Sequence, residues 1–235
     1  MKEKIYMFPG FMCDKRLWSK IIPLLENDYE IVHIPLPLSS CFEEINQILD
    51  EKLPKEPINV LGFSLGGYVC SYFAIKHPER VKKIFMVSST AGKPNEKEDK
   101  RRAEKIQKML DFGFEELSYE KSKSLLEEQN QNDEEMIKVL QDMFNDLGYD
   151  HFITHLQSTL HRKHLINEMS DLKIPIHFFY STEDRLLNHP FMKEISERKL
   201  NHVTINSRVG TSHNVPLEDP INLVKHIKEW MDTNP

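Results

Sequence analysis

The stretch Gly62-Phe63-Ser64-Leu65-Gly66, extended by Gly67, constrains this chain more than any other. It follows the apolar run Ile58-Asn59-Val60-Leu61. It precedes Tyr68-Val69-Cys70-Ser71-Tyr72-Phe73-Ala74-Ile75, whose length and alanine and aromatic content suit a buried helix. A strand, a sharp turn carrying Gly-x-Ser-x-Gly, and a helix make the pattern of a nucleophile elbow. Gly62 and Gly66 are expected to let helix and strand approach closely and to give the turn its positive φ. The Ser64 hydroxyl is then held out, in strain, beside the positive end of a helix. An ordinary glycine-rich turn fits the same letters, so a catalytic Ser64 requires partners later in the chain.

The residues around this turn alternate between two periods. Lys4 to Phe8 reads as a first strand, followed by a loop over Pro9-Gly10-Phe11-Met12-Cys13-Asp14. Leu17 to Glu26 reads as a helix, with Pro23 kinking or ending it. Glu30 to Pro35 is a second strand. Phe42, Ile45, Ile48, Leu49 and Leu53 recur at a helical period. The elbow helix runs to Lys76, and Val81 to Ser88 is the next strand. Ile174 to Tyr180 and His202 to Asn206 are two more. Asp219-Pro220 opens a closing helix whose Ile221, Val224, Ile227, Trp230 and Met231 are expected to face the sheet. Strands alternating with helices mean βαβ units and a parallel sheet covered on both faces.

The alternation stops at Ala91-Gly92-Lys93-Pro94 and resumes near Ile174. Between them every apolar pattern is helical. Ile106, Met109 and Leu110 mark one stripe, Met136 to Leu147 a second, and Tyr149 to Leu160 a third. The expectation is a core of residues 1–90 and 172–235, of about six mainly parallel strands flanked by helices, with a helical cap of residues 91–171 inserted. From Lys93 to Asp171 there are 12 Lys+Arg and 18 Asp+Glu, so this stretch carries the whole net charge of −6. Such a charge-rich lobe is ordinarily a solvated surface. Its apolar stripes nevertheless need something to cover, and the elbow is the nearest candidate.

A serine hydroxyl needs a base, and the base needs an orienting carboxylate. In open parallel sheets sites gather at the carboxyl ends of strands. Ser64, Asp184 and His213 each lie just past such an end, in the hydrolase order serine, acid, histidine. Glu183 competes with Asp184, and Asp is preferred as the usual orienter. The other ten histidines have no such position. An oxyanion requires N–H donors, expected from Leu65, next after the serine, and from Phe11 in the loop after the first strand.

Composition narrows the classes. No long basic run is present, which speaks against nucleic acid as a partner. No apolar window approaches the ~18 residues of a membrane span, and the opening residues have too short an apolar run for a signal peptide. The three cysteines (Cys13, Cys41, Cys70) show no metal spacing and read as reduced thiols of a cytoplasmic protein. No metal or cofactor is expected.

Taken with their order, these motifs resemble the α/β-hydrolase superfamily along nearly the whole chain, and within it the small capped serine carboxylesterases. Pro9-Gly10-Phe11 with Leu17-Trp18 resembles that family's His-Gly-aromatic loop and downstream tryptophan. Gly62 to Gly67 matches its elbow, and Leu172-Lys173-Ile174-Pro175 with Glu183-Asp184 resembles its acid segment. Ser212-His213-Asn214 through Glu218-Asp219-Pro220 resembles its Gly-His and Glu-x-Pro segments. Pro9 stands where the family usually has His, Ser212 where it usually has Gly, and two leading strands are absent. The chain is also similar to the pimeloyl-[acyl-carrier protein] methyl ester esterases. The resemblance implies an α/β-hydrolase fold that cleaves a small to medium carboxylic ester or thioester through an acyl-enzyme, without a cofactor. Its partner would be a small-molecule ester or a substrate held on an acyl carrier protein. C–C bond hydrolases and lyases share the triad, and an idle hydrolase fold that only binds a ligand is the non-enzymatic alternative. For a carrier, Arg101, Lys105 and Lys108 share a helix face, with Arg162 and Lys163 as a second cluster. Neighbouring Glu96, Glu98, Asp99 and Glu104 offer that face acidic partners instead.

Overall fold

The computed structural model describes residues 2–233. Its strands are β1 (Lys4–Phe8), β2 (Glu30–His33), β3 (Ile58–Phe63), β4 (Val81–Val87), β5 (Ile176–Ser181) and β6 (Val203–Arg208). They form one six-stranded sheet in the order β2-β1-β3-β4-β5-β6, with every neighbouring pair parallel. The helices are α1 (Ile22–Leu25), α2 (Phe42–Lys52), α3 (Leu65–Lys76), α4 (Glu96–Phe112), α5 (Tyr119–Lys123), α6 (Glu134–Leu160), α7 (Ile166–Asp171), α8 (His189–Glu197), α9 (Val215–Glu218) and α10 (Pro220–Asp232).

A parallel sheet covered on both faces should send alternate side chains into two separate cores, and this one does. Tyr6, Phe8, Val60, Ile84, Met86, Ile176 and Phe178 point to the side packed by α2, α3, α7 and α8. Ile5, Met7, Leu61, Phe63, Phe85, Val87 and Phe179 point to the side packed by α1 and α10. On that second face β4 also buries Lys83. Its ammonium donates to the carbonyls of Met231 (2.7 Å) and Thr233 (2.6 Å). A cation there meets the negative end of α10 and satisfies carbonyls that have no intrahelical partner. Burial pushes the Lys83 pKa below the ordinary lysine value.

Several expectations need correction. The helix expected over Leu17–Glu26 is a 3-10 turn over Lys15–Trp18 followed by α1, and Pro23 sits at the start of α1 rather than ending a helix. Proline lacks only a donor that a first turn leaves unused, so it suits that place. Ile221 on α10 is 69% exposed, whereas Leu223, left out of the sequence reading, is fully buried. Helix α8 was not anticipated. Asn188 caps it by accepting from the Phe191 N–H.

Between β4 and β5 only helices occur. The run α6 breaks at Gly148, whose φ of 66° and ψ of −160° are non-helical, so two helical pieces meet at an angle there, as the two apolar stripes implied. The first piece puts Met136, Ile137, Leu140 and Met143 against the core that holds Trp18 and Phe63. The second joins Ile153 and Leu156 to Ile106 and Met109 of α4. No described helix is long and apolar enough to cross a membrane.

Candidate active site

Strand β3 delivers Ser64 into the sharp turn before α3. Ser64 has φ 50° and ψ −115°, a conformation an L-residue holds only when its surroundings enforce it. The enforcing contacts are local. Its N–H donates to the Val87 carbonyl at 3.0 Å, and its carbonyl accepts from Ser89 Oγ at 2.6 Å. The positive φ therefore belongs to the serine, not to Gly62 or Gly66. What Gly66 supplies is room, since a Cβ there would press on the backbone oxygens of Phe8 and Pro9. Gly66→Ala is expected to lower stability by about 1–3 kcal/mol, because backbone cannot yield as a side chain does. A denaturant midpoint equal to the parent's would contradict this.

The serine has the partners its chemistry requires. His213 Nε2 lies 3.0 Å from Ser64 Oγ, and His213 Nδ1 lies 2.7 Å from Asp184 Oδ2. Facing a carboxylate, Nδ1 carries the proton, which leaves Nε2 to accept from the serine hydroxyl. Asp184 is completely buried and its other oxygen accepts from the Leu186 N–H at 2.9 Å. Glu183 instead is exposed, and among the described residues only its backbone N–H is engaged, at the Gly210 carbonyl. The Phe63 ring, 5.1 Å from the imidazole, backs His213 from the sheet side.

The loop after β1 runs beside the elbow, since a Cβ on Gly10 would sit 3.1 Å from that of Ser64. Among the described residues neither the Phe11 nor the Leu65 N–H meets a protein acceptor. Leu65 opens α3, so its N–H is one of the donors a helix start leaves unpaired. The Phe11 side chain packs on Phe152 with ring centroids 5.2 Å apart, and Phe152 meets Phe144 and Phe114 in turn. An aromatic wall from the helical segment thus stands over this loop. Cys13 donates its thiol to the Phe11 carbonyl, and burial pushes that thiol up to about 12. Among the described residues no group of three His, Cys, Asp or Glu could hold a metal.

Sequence reasoning left out a second polar cluster around the His213 loop. Glu127, 7% exposed, accepts from the N–H groups of Thr211 (2.7 Å) and Ser212 (3.0 Å). Its two oxygens each take a hydrogen bond of 2.9 Å from the Arg208 guanidinium. Burial alone would raise this carboxyl; Arg208 and the two N–H groups outweigh it and hold the pKa below the ordinary glutamate value. Glu218 accepts from Ser212 Oγ, the Glu127 N–H and Asn130 Nδ2, and burial raises its pKa. Glu127 lies in an irregular stretch, and no periodicity or spacing marks it.

The family model described as alpha/beta hydrolase fold matches residues 5–117. A pimeloyl-[acyl-carrier protein] methyl ester esterase of Legionella pneumophila (strain Lens) is 29% identical over 91 residues. That match takes in 37% of this chain and spans only 38% of the relative's length. A thermophilic esterase from Thermogutta terrifontis superposes with a TM-score of 0.82 at 17% identity, over 98% of this chain and 90% of its own. An enol-lactonase from Burkholderia xenovorans LB400 gives 0.82 at 14% identity, over 99% and 92%. At such identities the two superpositions speak for the fold.

Proposed function

This chain has the α/β-hydrolase fold, and on that premise we propose that it is a serine hydrolase cleaving a small to medium carboxylic ester or thioester. One observation carries the reading: the unbroken line from Ser64 Oγ through His213 to the buried carboxylate of Asp184. A fold that only bound a ligand would have no use for that line.

In this reading Ser64 Oγ attacks the substrate carbonyl while His213 Nε2 takes its proton. The bond to the alcohol or thiol then breaks, and the imidazolium returns the proton to the leaving group. Water, deprotonated by the same imidazole, cleaves the acyl-serine and frees the acid. The carbonyl oxygen, negative in between, is held by the N–H groups of Leu65 and Phe11. Asp184 keeps the imidazole in the right tautomer and stabilises its charged form.

Residues 91–171 act as a cap, with the wall of Phe114, Phe144 and Phe152 on Phe11 forming the acyl side of the cleft. Met109, packed beside that wall, adds a side chain that can repack around flexible chains. A relative named for a carrier-linked methyl ester raises the carrier-bound substrate as a second reading. Charge pairing weakens that second reading without removing it: Glu98 is shared by Arg101 (2.7 Å) and Arg102 (3.0 Å), and Lys108 pairs with Glu115 (3.0 Å), so two carboxylates answer three of the cations on this face.

The test is a panel of p-nitrophenyl esters of graded acyl length, run beside a fluorophosphonate label. The expected result is an adduct on Ser64 and a kcat/KM that peaks at short to medium chains. A monotonic rise out to very long chains would remove the enclosed cleft, and an adduct elsewhere would remove the mechanism.

A further inference from the structure

We propose that Glu127, supplied by the helical segment between β4 and β5, is a positioning residue for His213, so that alignment of the base depends on how that segment is seated. The inference rests on the serine-hydrolase reading above and adds a requirement to it.

The argument starts from which side of His213 is held, and by what. Toward the N-terminus, the N–H groups of Thr211 and Ser212 both end on Glu127 Oε1. Toward the C-terminus, Asn214 Nδ2 donates to the Leu125 carbonyl at 3.2 Å. The imidazole therefore hangs from a short loop fixed on both flanks by residues 125–127, which lie more than 80 positions earlier in the chain. The β5 side reaches only as far as the Gly210 carbonyl, which accepts the Glu183 N–H at 2.9 Å; beyond it the loop's N–H groups end on Glu127. Arg208 closes the arrangement: it forks onto both Glu127 oxygens and also donates to Ser181 Oγ at 3.0 Å, at the end of β5 before the Asp184 loop. One carboxylate thus ties the two N–H groups before His213 to an arginine that bridges the ends of β5 and β6 and also pairs with Asp219 (2.9 Å).

The local sequence is shaped around this carboxylate. Gly210 has φ +138°, and a Cβ there would collide with Glu127 Oε1. Only glycine lets the carboxylate reach the two N–H groups. Ser212, in the place where the resembled family usually has glycine, has its hydroxyl on Glu218, whose other oxygen accepts the Glu127 N–H. A buried carboxylate with its charge answered by a guanidinium and two N–H groups is held in one geometry, since leaving any partner unpaired is costly. Rigidity of that kind is what a base needs when displacements near 1 Å carry large rate losses.

The experiment compares the parent with Glu127→Ala and Glu127→Gln at a temperature where all three are folded by circular dichroism. Turnover of p-nitrophenyl acetate is divided by active sites titrated to completion with fluorophosphonate, and hydrogen exchange is followed over residues 207–217. Glu127→Ala is expected to lower kcat per titrated site by about 10- to 100-fold, the size of loss that misplacing a catalytic group by about 1 Å produces. KM should stay within about threefold, because no substrate contact is removed. Exchange at Thr211 and Ser212 should rise. Glu127→Gln keeps an oxygen for the two N–H groups and loses the fork to Arg208, so it should recover most of the turnover. A purely structural role would lower the number of titrated sites and leave kcat per site at the parent value; that result, with unchanged exchange, overturns the proposal. A parent that neither turns over ester nor takes the label overturns the hydrolase reading itself, and this is read before any variant is compared.

Discussion

Replacing Ser64 by alanine is expected to end ester cleavage, with a loss of the order of 10⁴-fold or more, as deletion of a triad nucleophile costs elsewhere. The substitution is structurally mild. Among the described residues the hydroxyl has one hydrogen-bond partner, His213, and the strained backbone is fixed by N–H and carbonyl contacts to Val87 and Ser89 that alanine keeps. The melting curve should therefore stay close to the parent's while turnover and the fluorophosphonate adduct vanish together. Residual cleavage at the parent rate in a folded Ser64→Ala protein would show that another group attacks the ester.

The second large effect is expected from Asp184→Asn, again near 10⁴-fold in kcat, through the tautomer of His213. Asp184 Oδ1 takes the Leu186 N–H and Oδ2 faces His213 Nδ1. An asparagine that keeps its oxygen on Leu186 presents an amide N–H₂ to the imidazole. Nδ1 must then accept, the proton moves to Nε2, and the base has no lone pair left for the serine. Glu183→Gln removes a charge from an exposed side chain that makes no contact with His213, and should leave turnover within about twofold, as surface changes away from a site usually do. The two variants are compared by steady-state kinetics and thermal melts. The opposite ranking would mean that the acid had been assigned to the wrong residue.

How much of this was legible depended on whether the signal was local or topological. Ser64 is marked by a pattern that spans only a strand end and a helix start. Asp184 and His213 are marked by topology, because a parallel sheet brings the ends of β3, β5 and β6 to one edge. Both signals survive without knowing any side-chain contact. The helix expected over Leu17–Glu26 failed for the opposite reason: its apolar residues suited a helix, but packing of Trp18 against Phe63 and the constraint at Pro23 divided it. Lys83 lies within the strand expected over Val81 to Ser88, where nothing sets it apart from Lys82, and only the docking of α10 makes it a buried cap. Glu127 was invisible for a further reason. In an acidic stretch one glutamate looks like any other, and what distinguishes it is a guanidinium 81 residues away.

That spread of partners along the chain has a consequence for the protein as it is made. A ribosome delivers the N-terminal half first, while a domain generally folds as a unit. The elbow serine emerges early, while the imidazole hydrogen-bonded to it follows 149 residues later and the glutamate beside its loop falls in between. Every nascent chain that stops short of position 213 carries a serine with no base to take its proton. On the serine-hydrolase reading an interrupted product cannot hydrolyse the esters around it, because the site is complete only once β6 and the loop after it are in place.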